Sequence, residues 1–212
     1  QDLSMCFDSI MKKWTKNASK LKTNRAEVTS ITDMDISFSE SKKVMIAALT
    51  TVVPPYQDWD SLECIDLKDR NLSSLVGLAE FLPSLCSLNA SKNTLTTLDG
   101  VPPLVKELNL SENRLCDHLS TIMNFKCIVS LDLSGNKISK LDCFQGLPDL
   151  KLLNLSRNKV KKLVALRYVE NLDLSENDID GDVIFKSDEF PFLEELDISR
   201  NRVRSIQGVE TT

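Results

Sequence analysis

The sequence contains one histidine, His118, and only six glycines in 212 residues. A single imidazole leaves little from which to build histidine-dependent catalysis, and no Gly-rich phosphate-binding loop occurs. Cationic excess is also absent. The 26 Lys and Arg stand against 31 Asp and Glu, a net charge of −5, so no global basic footprint points to nucleic acid. No apolar run is long enough to cross a bilayer, and no membrane partner is expected. No CxxC pair occurs among Cys6, Cys64, Cys86, Cys116, Cys127 and Cys143, which argues against a zinc site, and no cofactor is expected. These cysteines are scattered rather than clustered as in a secreted disulfide framework, which favours a reducing, intracellular compartment. Five N-x-S sequons, at Asn17, Asn71, Asn89, Asn109 and Asn154, point the other way. Four of them recur at related places of an internal repeat, which explains them without glycosylation.

That repeat is the strongest feature present. "LKLLNLSRNKVKKL" at 150–163 returns as "LCSLNASKNTLTTL" from Leu85, "VKELNLSENRL" from Val105 and "IVSLDLSGNKISKL" from Ile128. It returns again as "VENLDLSENDI" from Val169 and "LEELDISRNRVRSI" from Leu193, with a degenerate first copy, "LECIDLKDRNLSSL", from Leu62. The shared form, LxxLxLxxNxLxxL, is the leucine-rich-repeat signature. From Arg70, which stands in place of the first asparagine, the ninth-place residues follow at spacings of 23, 20, 23, 22, 19 and 24. The LxLxx segments are short strands with alternate residues inward, and stacked copies form a parallel sheet. The ladder Asn93, Asn113, Asn136, Asn158, Asn177 and Asn201 is then structural: an amide has two donors and an acceptor with which to satisfy the turn and the neighbouring coil. The expected fold is therefore α/β, a leucine-rich-repeat solenoid of about seven coils with its parallel sheet on the concave face.

Two domains are expected. Residues 1–61 form an N-terminal cap of helix, strand and helix. Its first helix carries Leu3, Cys6, Phe7, Ile10, Met11 and Trp14 at three-four spacing, its strand is read from the alternation of Met34, Ile36 and Phe38, and its second helix starts near Ser39–Ser41. "PPYQDW" stops that helix, and Trp59 is expected to pack across the first coil. Residues 62–212 form the repeats, with short helices or turns at 77–85 and 142–150 and an extended return through Pro102 and Pro103. The polar end "SIQGVETT" is too short to seal the last coil, so this end is read as truncated.

No catalytic set is found, and the chain is read as a non-enzyme. "CDH" at 116–118 places a thiol, a carboxylate and an imidazole in a row, but residues in a tight turn point apart, and a surface loop is the better reading. Partner binding is expected on the concave face, at the fifth-place residues Asp66, Asn89, Asn109, Asp132, Asn154, Asp173 and Asp197. Lys68 and six serines at the seventh place are expected beside them. A basic strip of Lys137, Lys140, Arg157, Lys159, Lys161 and Lys162, continued by Arg202 and Arg204, offers a site for an acidic or phosphorylated segment of a protein partner. Solubility and a solvated edge are the plainer readings of both sets.

One run is more particular: "VPPYQDWDSLECIDLKDRNLSSLVGL", then "FLPSLCSLNASKNTLTTLDGVPPLVKELNLSENRL", then "CIVSLDLSGNKISKL". A tryptophan precedes coil one, coil one lacks its asparagine, and the second return is short and starts Gly100-Val101-Pro102. Over Val53 to about Leu163, roughly half the chain, this resembles the leucine-rich-repeat domain of the fungal spindle-pole-body scaffolds of the mitotic-exit and septation-initiation networks, related to centriolin. The wider class is the protein-phosphatase-1 regulatory-subunit type of repeat. The resemblance implies an intracellular protein-interaction scaffold, at the spindle pole body or centrosome, that organises a kinase cascade for mitotic exit and cytokinesis. A phosphatase regulatory subunit and an extracellular recognition receptor are the alternatives.

Overall fold

The computed structural model describes residues 32–54, 56–186 and 188–208, with only the backbone described for 32–40 and 120. The first helix expected for the cap, over Leu3–Trp14, lies outside these residues. The first described element is helix α1, Thr32–Val52. It begins seven residues before the expected helix start and takes in Met34, Ile36 and Phe38, whose alternation predicts a strand. The strand expectation is corrected here. An alternation of three apolar residues is short, no Gly or Pro interrupts 32–52, and Asp33 and Asp35 in the first turn favour a helix N-terminus. The helix ends just ahead of Pro54. Met45, Ile46, Leu49 and Val53 along α1 are buried. Lys42 pairs with Glu80 at 2.7 Å, and Arg70 Nη1 lies 3.4 Å from Thr51 Oγ1, so α1 lies on coil one.

The repeats supply strands β1 Cys64–Asp66, β2 Ser87–Asn89, β3 Glu107–Asn109, β4 Ser130–Asp132, β5 Leu152–Asn154 and β6 Asn171–Asp173. After β7, Asp180–Ile184, come β8, Glu195–Asp197, and β9, Arg202–Gln207. β1 to β6 and then β8 form one seven-stranded parallel sheet, with the fourth-place residue of each coil paired to that of the next (Ile65, Leu88, Leu108, Leu131, Leu153, Leu172, Leu196). β7 and β9 pair in parallel on the return side of the last two coils, an element that the repeat pattern does not announce. Helix α2, Leu78–Phe81, and single 3-10 turns at Ser120–Asn124 and Asp142–Phe144 fill the longer returns, while the proline-bearing return after Leu98 carries no helix. Trp59, in a 3-10 turn over Trp59–Ser61, meets Phe81 edge-on with ring centroids 6.3 Å apart.

The asparagine ladder joins these coils. Five of its members are only 7–8% exposed. Asn136 Nδ2 donates to Leu110 O at 3.0 Å and Leu133 O at 2.9 Å, while its Oδ1 accepts from Leu115 N–H at 2.9 Å. Asn113, Asn158, Asn177 and Asn201 repeat this arrangement one coil apart. Asn93 does more, with Oδ1 accepting from both Arg70 N–H at 3.0 Å and Leu72 N–H at 2.8 Å. Arg70 has no amide to offer, and coil one is tied from coil two.

Just before each ladder position the chain turns through the left-handed region, at Asp69, Lys92, Glu112, Gly135, Arg157, Glu176 and Arg200, with φ between 53° and 66°. Six of these seven are not glycine. Each of the first six turns is held because its N–H donates to the seventh-place carbonyl of the next coil, at 2.8–3.0 Å. The same file alternates in charge. Glu112 faces Lys92 at 3.8 Å and Arg157 at 3.7 Å, and Arg200 faces Glu176 at 2.8 Å.

Candidate functional site

Alternation along each strand sends the fourth-place leucine inward and the third- and fifth-place residues outward. The fifth-place file has a structural task. Each of its side chains accepts the N–H two residues on: Asp66 from Lys68 at 2.8 Å, Asn89 from Ser91 at 3.1 Å and Asn109 from Ser111 at 3.0 Å. Asp132, Asn154 and Asp173 do the same at 2.9 Å, and Asp197 at 2.8 Å. These are Asx turns that end each strand, which explains why only Asp and Asn occur there. At Asp197, the N–H and hydroxyl of Ser199 hold the carboxyl below the usual carboxylate range, with burial opposing weakly and Arg200 assisting.

The seventh-place serines do not line the groove as a file. Ser91 is 4% and Ser134 7% exposed, because the Asx turn draws this position inward. The expectation that they face the concave side is corrected at those two coils. The position that period two does place beside the fifth is the third: Cys64, Ser87, Glu107, Ser130, Leu152, Asn171 and Glu195. Parity along the strand was the signal for it in the sequence.

Strands β4, β5, β6 and β8 form a shallow open groove of ≈ 330 Å³. Its floor contains Leu152, a large apolar side chain 43% exposed on a polar sheet. The two outward files carry six carboxylates (Asp66, Glu107, Asp132, Asp173, Glu195, Asp197) and no Lys or Arg. Among the described residues none of the six is in an ion pair. Glu107 accepts from Ser87 Oγ and Glu195 from Asn171 Nδ2, neutral donors on the adjacent strand. The face is therefore a sheet of negative charge without ion pairs among the described residues, with one apolar point.

The basic strip does not line this groove. Arg157 sits in the left-handed eighth place and faces Glu112, and Arg204 faces Asp180 at 3.8 Å. Lys137, Lys140, Lys159, Lys161 and Lys162 are exposed, at and beyond the tenth place, past the asparagine ladder. The "CDH" run also differs from expectation: Cys116 Sγ and His118 Nδ1 meet at 3.7 Å. The third member does not join them. Asp117 Oδ1 accepts from the N–H groups of Ser139 at 2.6 Å and Lys140 at 3.1 Å, and its Oδ2 from Ser139 Oγ at 2.6 Å. Partial burial works to raise the Asp117 carboxyl, but these bonds and the Lys140 charge outweigh it and hold the carboxyl below its ordinary range. Asp117 ties coil three to coil four rather than orienting the imidazole. Among the described residues no group of His, Cys, Asp and Glu could hold a metal ion, and no helix is long and apolar enough to cross a membrane.

Comparison with known proteins agrees with the repeat. The family model for leucine-rich repeats in two copies matches residues 128–168. Protein NUD1 of Saccharomyces cerevisiae is 33% identical over 79% of this chain, which spans 21% of that protein. The septation initiation network scaffold protein cdc11 of Schizosaccharomyces pombe is 35% identical over 48% of the chain, which spans 10% of it. A solved leucine-rich-repeat protein of Leptospira interrogans superposes over 78% of this chain and 41% of its own, with TM-score 0.62 and 26% identity. The resemblance to the fungal scaffolds is borne out, with the chain spanning about a fifth and a tenth of the two yeast proteins it resembles.

Proposed function

On the premise that this chain is a leucine-rich-repeat array similar in sequence to NUD1 and to a septation-network scaffold, we propose that it is the folded interaction module of a non-enzymatic scaffold, acting inside the cell. The family resemblance further suggests a place at the spindle pole body or centrosome and a role in organising the kinase cascade of mitotic exit and cytokinesis. The single observation that carries the reading is the similarity to cdc11, whose name states a scaffold of septation initiation. The partner surface is the concave sheet, supported by its seven ungated strands and by the outward third-place file.

Affinity capture from cells arrested in mitosis tests this, with the full chain beside a Leu152→Arg, Glu195→Lys variant. Neither of those side chains closes an Asx turn, so the variant keeps the turn hydrogen bonds that changes at Asp132 or Asp173 would remove. Spindle-pole or kinase-cascade proteins bound by the native chain and lost by the variant are the expected result. Equal capture by both removes the concave face from the proposal. A phosphatase catalytic subunit as the main partner replaces the scaffold reading by that of a regulatory subunit.

A further inference from the structure

Nine large apolar side chains are exposed among the described residues, and two of them, Tyr168 and Phe192, line one cleft at coils five to seven, while a third, Leu152, lies in the concave groove. Tyr168 and Phe192 are the residues immediately before the first leucine-type position of coils six and seven, so stacking brings them to the rim where the chain enters its strands. With Val129 and Pro148 they wall a second cleft of ≈ 330 Å³. Lys151 and Glu170 also line this cleft, and the two pair at 2.7 Å. The rim lysine thus arrives already neutralised. Each of these two residues is followed directly by a third-place residue of the concave groove, Leu152 and Asn171, so the cleft and the groove adjoin across one strand position.

We propose that this rim cleft and the adjoining groove form one docking surface for a basic protein segment that carries a single large apolar anchor. The proposal rests on the scaffold reading and names its partner's chemistry. Tyr168 at 44% and Phe192 at 59% exposure offer the anchor apolar area that nothing in the described chain covers. Beyond the rim, a segment crossing the sheet meets Asp132, Asp173, Glu195 and Asp197 and not one cation. Lys and Arg at intervals along such a segment would meet carboxylates that have no ion-pair partner among the described residues, whereas a phosphorylated or acidic segment would meet only like charge. The basic residues past the ladder then serve as a guard that repels the same segment from the opposite rim and fixes its lane.

The probe is a short fluorescein-labelled peptide of Lys and Arg interleaved with Gly around one central Phe, titrated with the full chain by fluorescence anisotropy at low and at physiological salt. Companion peptides have the Phe replaced by Gly, or every cation replaced by Glu. The expected result is saturable binding that weakens with salt and at least about tenfold with the Gly companion, with none for the acidic companion. A Tyr168→Ser, Phe192→Ser variant loses about tenfold for the Phe peptide and nothing for the Gly companion, a pattern that general destabilisation does not give. Neither side chain belongs to the buried core, so the variant is expected to fold. Equal affinity of the Phe and Gly peptides overturns the anchor. Tighter binding of the acidic companion overturns the charge assignment, and dimerisation of the native chain abolished by the rim variant assigns the cleft to a second copy instead. Loss of binding on Leu152→Arg, Glu195→Lys without loss on the rim variant overturns this proposal while leaving the concave scaffold face in place.

Discussion

Replacing Asn136 by leucine keeps nearly the same side-chain size while deleting the amide bonds that reach from coil four to coil three at this point. One buried group, Leu115 N–H, loses its partner, while Leu110 O keeps the Asn113 amide at 3.0 Å and Leu133 O the Asn158 amide at 2.9 Å, all three on residues 0% exposed. At about 1–3 kcal/mol for the unsatisfied buried N–H and about 1 kcal/mol for each of the two donated bonds, and with part recovered through relaxation, the loss is about 2–4 kcal/mol. The leucine also gains no cavity to fill, since Leu133, Ile138 and Leu115 around it are already close-packed. Urea unfolding followed by circular dichroism reads the change. With a slope of about 2 kcal/mol/M, a loss near 3 kcal/mol lowers the midpoint by about 1.5 M. Asn136→Asp is the informative companion. It keeps Oδ1 as acceptor for Leu115 N–H but turns both donated bonds into carboxylate–carbonyl repulsion. Its folded-state pKa must then lie above the unfolded value, so its deficit shrinks as the pH falls and the acid regains one donor. A Leu variant within about 1 kcal/mol of the native chain at unchanged slope would refute the claim that the amide ladder holds the coils together.

Further outcomes follow from other residues. Gly100 has φ +93° and a Cβ there would lie 2.0 Å from Leu75 O, whereas Gly181 has φ +90° with nothing within 4 Å. Gly181→Ala is therefore expected to lose about 1–2 kcal/mol of backbone strain energy alone, and Gly100→Ala clearly more, read as melting points about 2–8 °C and at least 10 °C lower respectively. The depressed Asp117 carboxyl contributes stability that is present above its unfolded pKa, about 4, and lost as the pH falls through its lower folded value. Asp117→Asn should accordingly be less stable than the native chain at pH 7, by denaturant midpoint, with the gap closing below about pH 4. Burial pushes the Cys143 thiol up to about 11, assisted by the charges of Asp142 and Asp117. Only about one in a thousand of these thiols is ionised at pH 8, so Cys143→Ser should leave the fast phase of disulfide-reagent labelling unchanged, while Cys64→Ser, at an exposed position, should reduce it.

How much could be read in advance depends on the range of the signal. The coils, the strand in each and the purpose of the asparagines are written as a period in the chain, because every copy meets the same packing requirement and repeats the same answer. The strand expected at Met34–Phe38 failed where no period supported it: three alternating residues were outweighed by an uninterrupted helical segment. The candidate site was legible only as a face. Its fifth-place Asp and Asn were visible in the sequence, but their Asx-turn task needed the backbone direction at the strand's end, and the third-place file needed strand parity to be followed one step further.

The solenoid is inherent in the period, since leucines and asparagines at fixed places leave one economical way to bury apolar surface and satisfy buried amides. Tertiary structure alone decided what stands next to what across coils. Glu112 between Lys92 and Arg157, Asp117 on Ser139, Tyr168 beside Phe192, and an acidic sheet set apart from the lysines all join residues about twenty or more positions apart. Coil lengths vary from 19 to 24 residues, so which side chains become neighbours outside the repeat's fixed places depends on how each return packs, and that is settled by contacts in three dimensions.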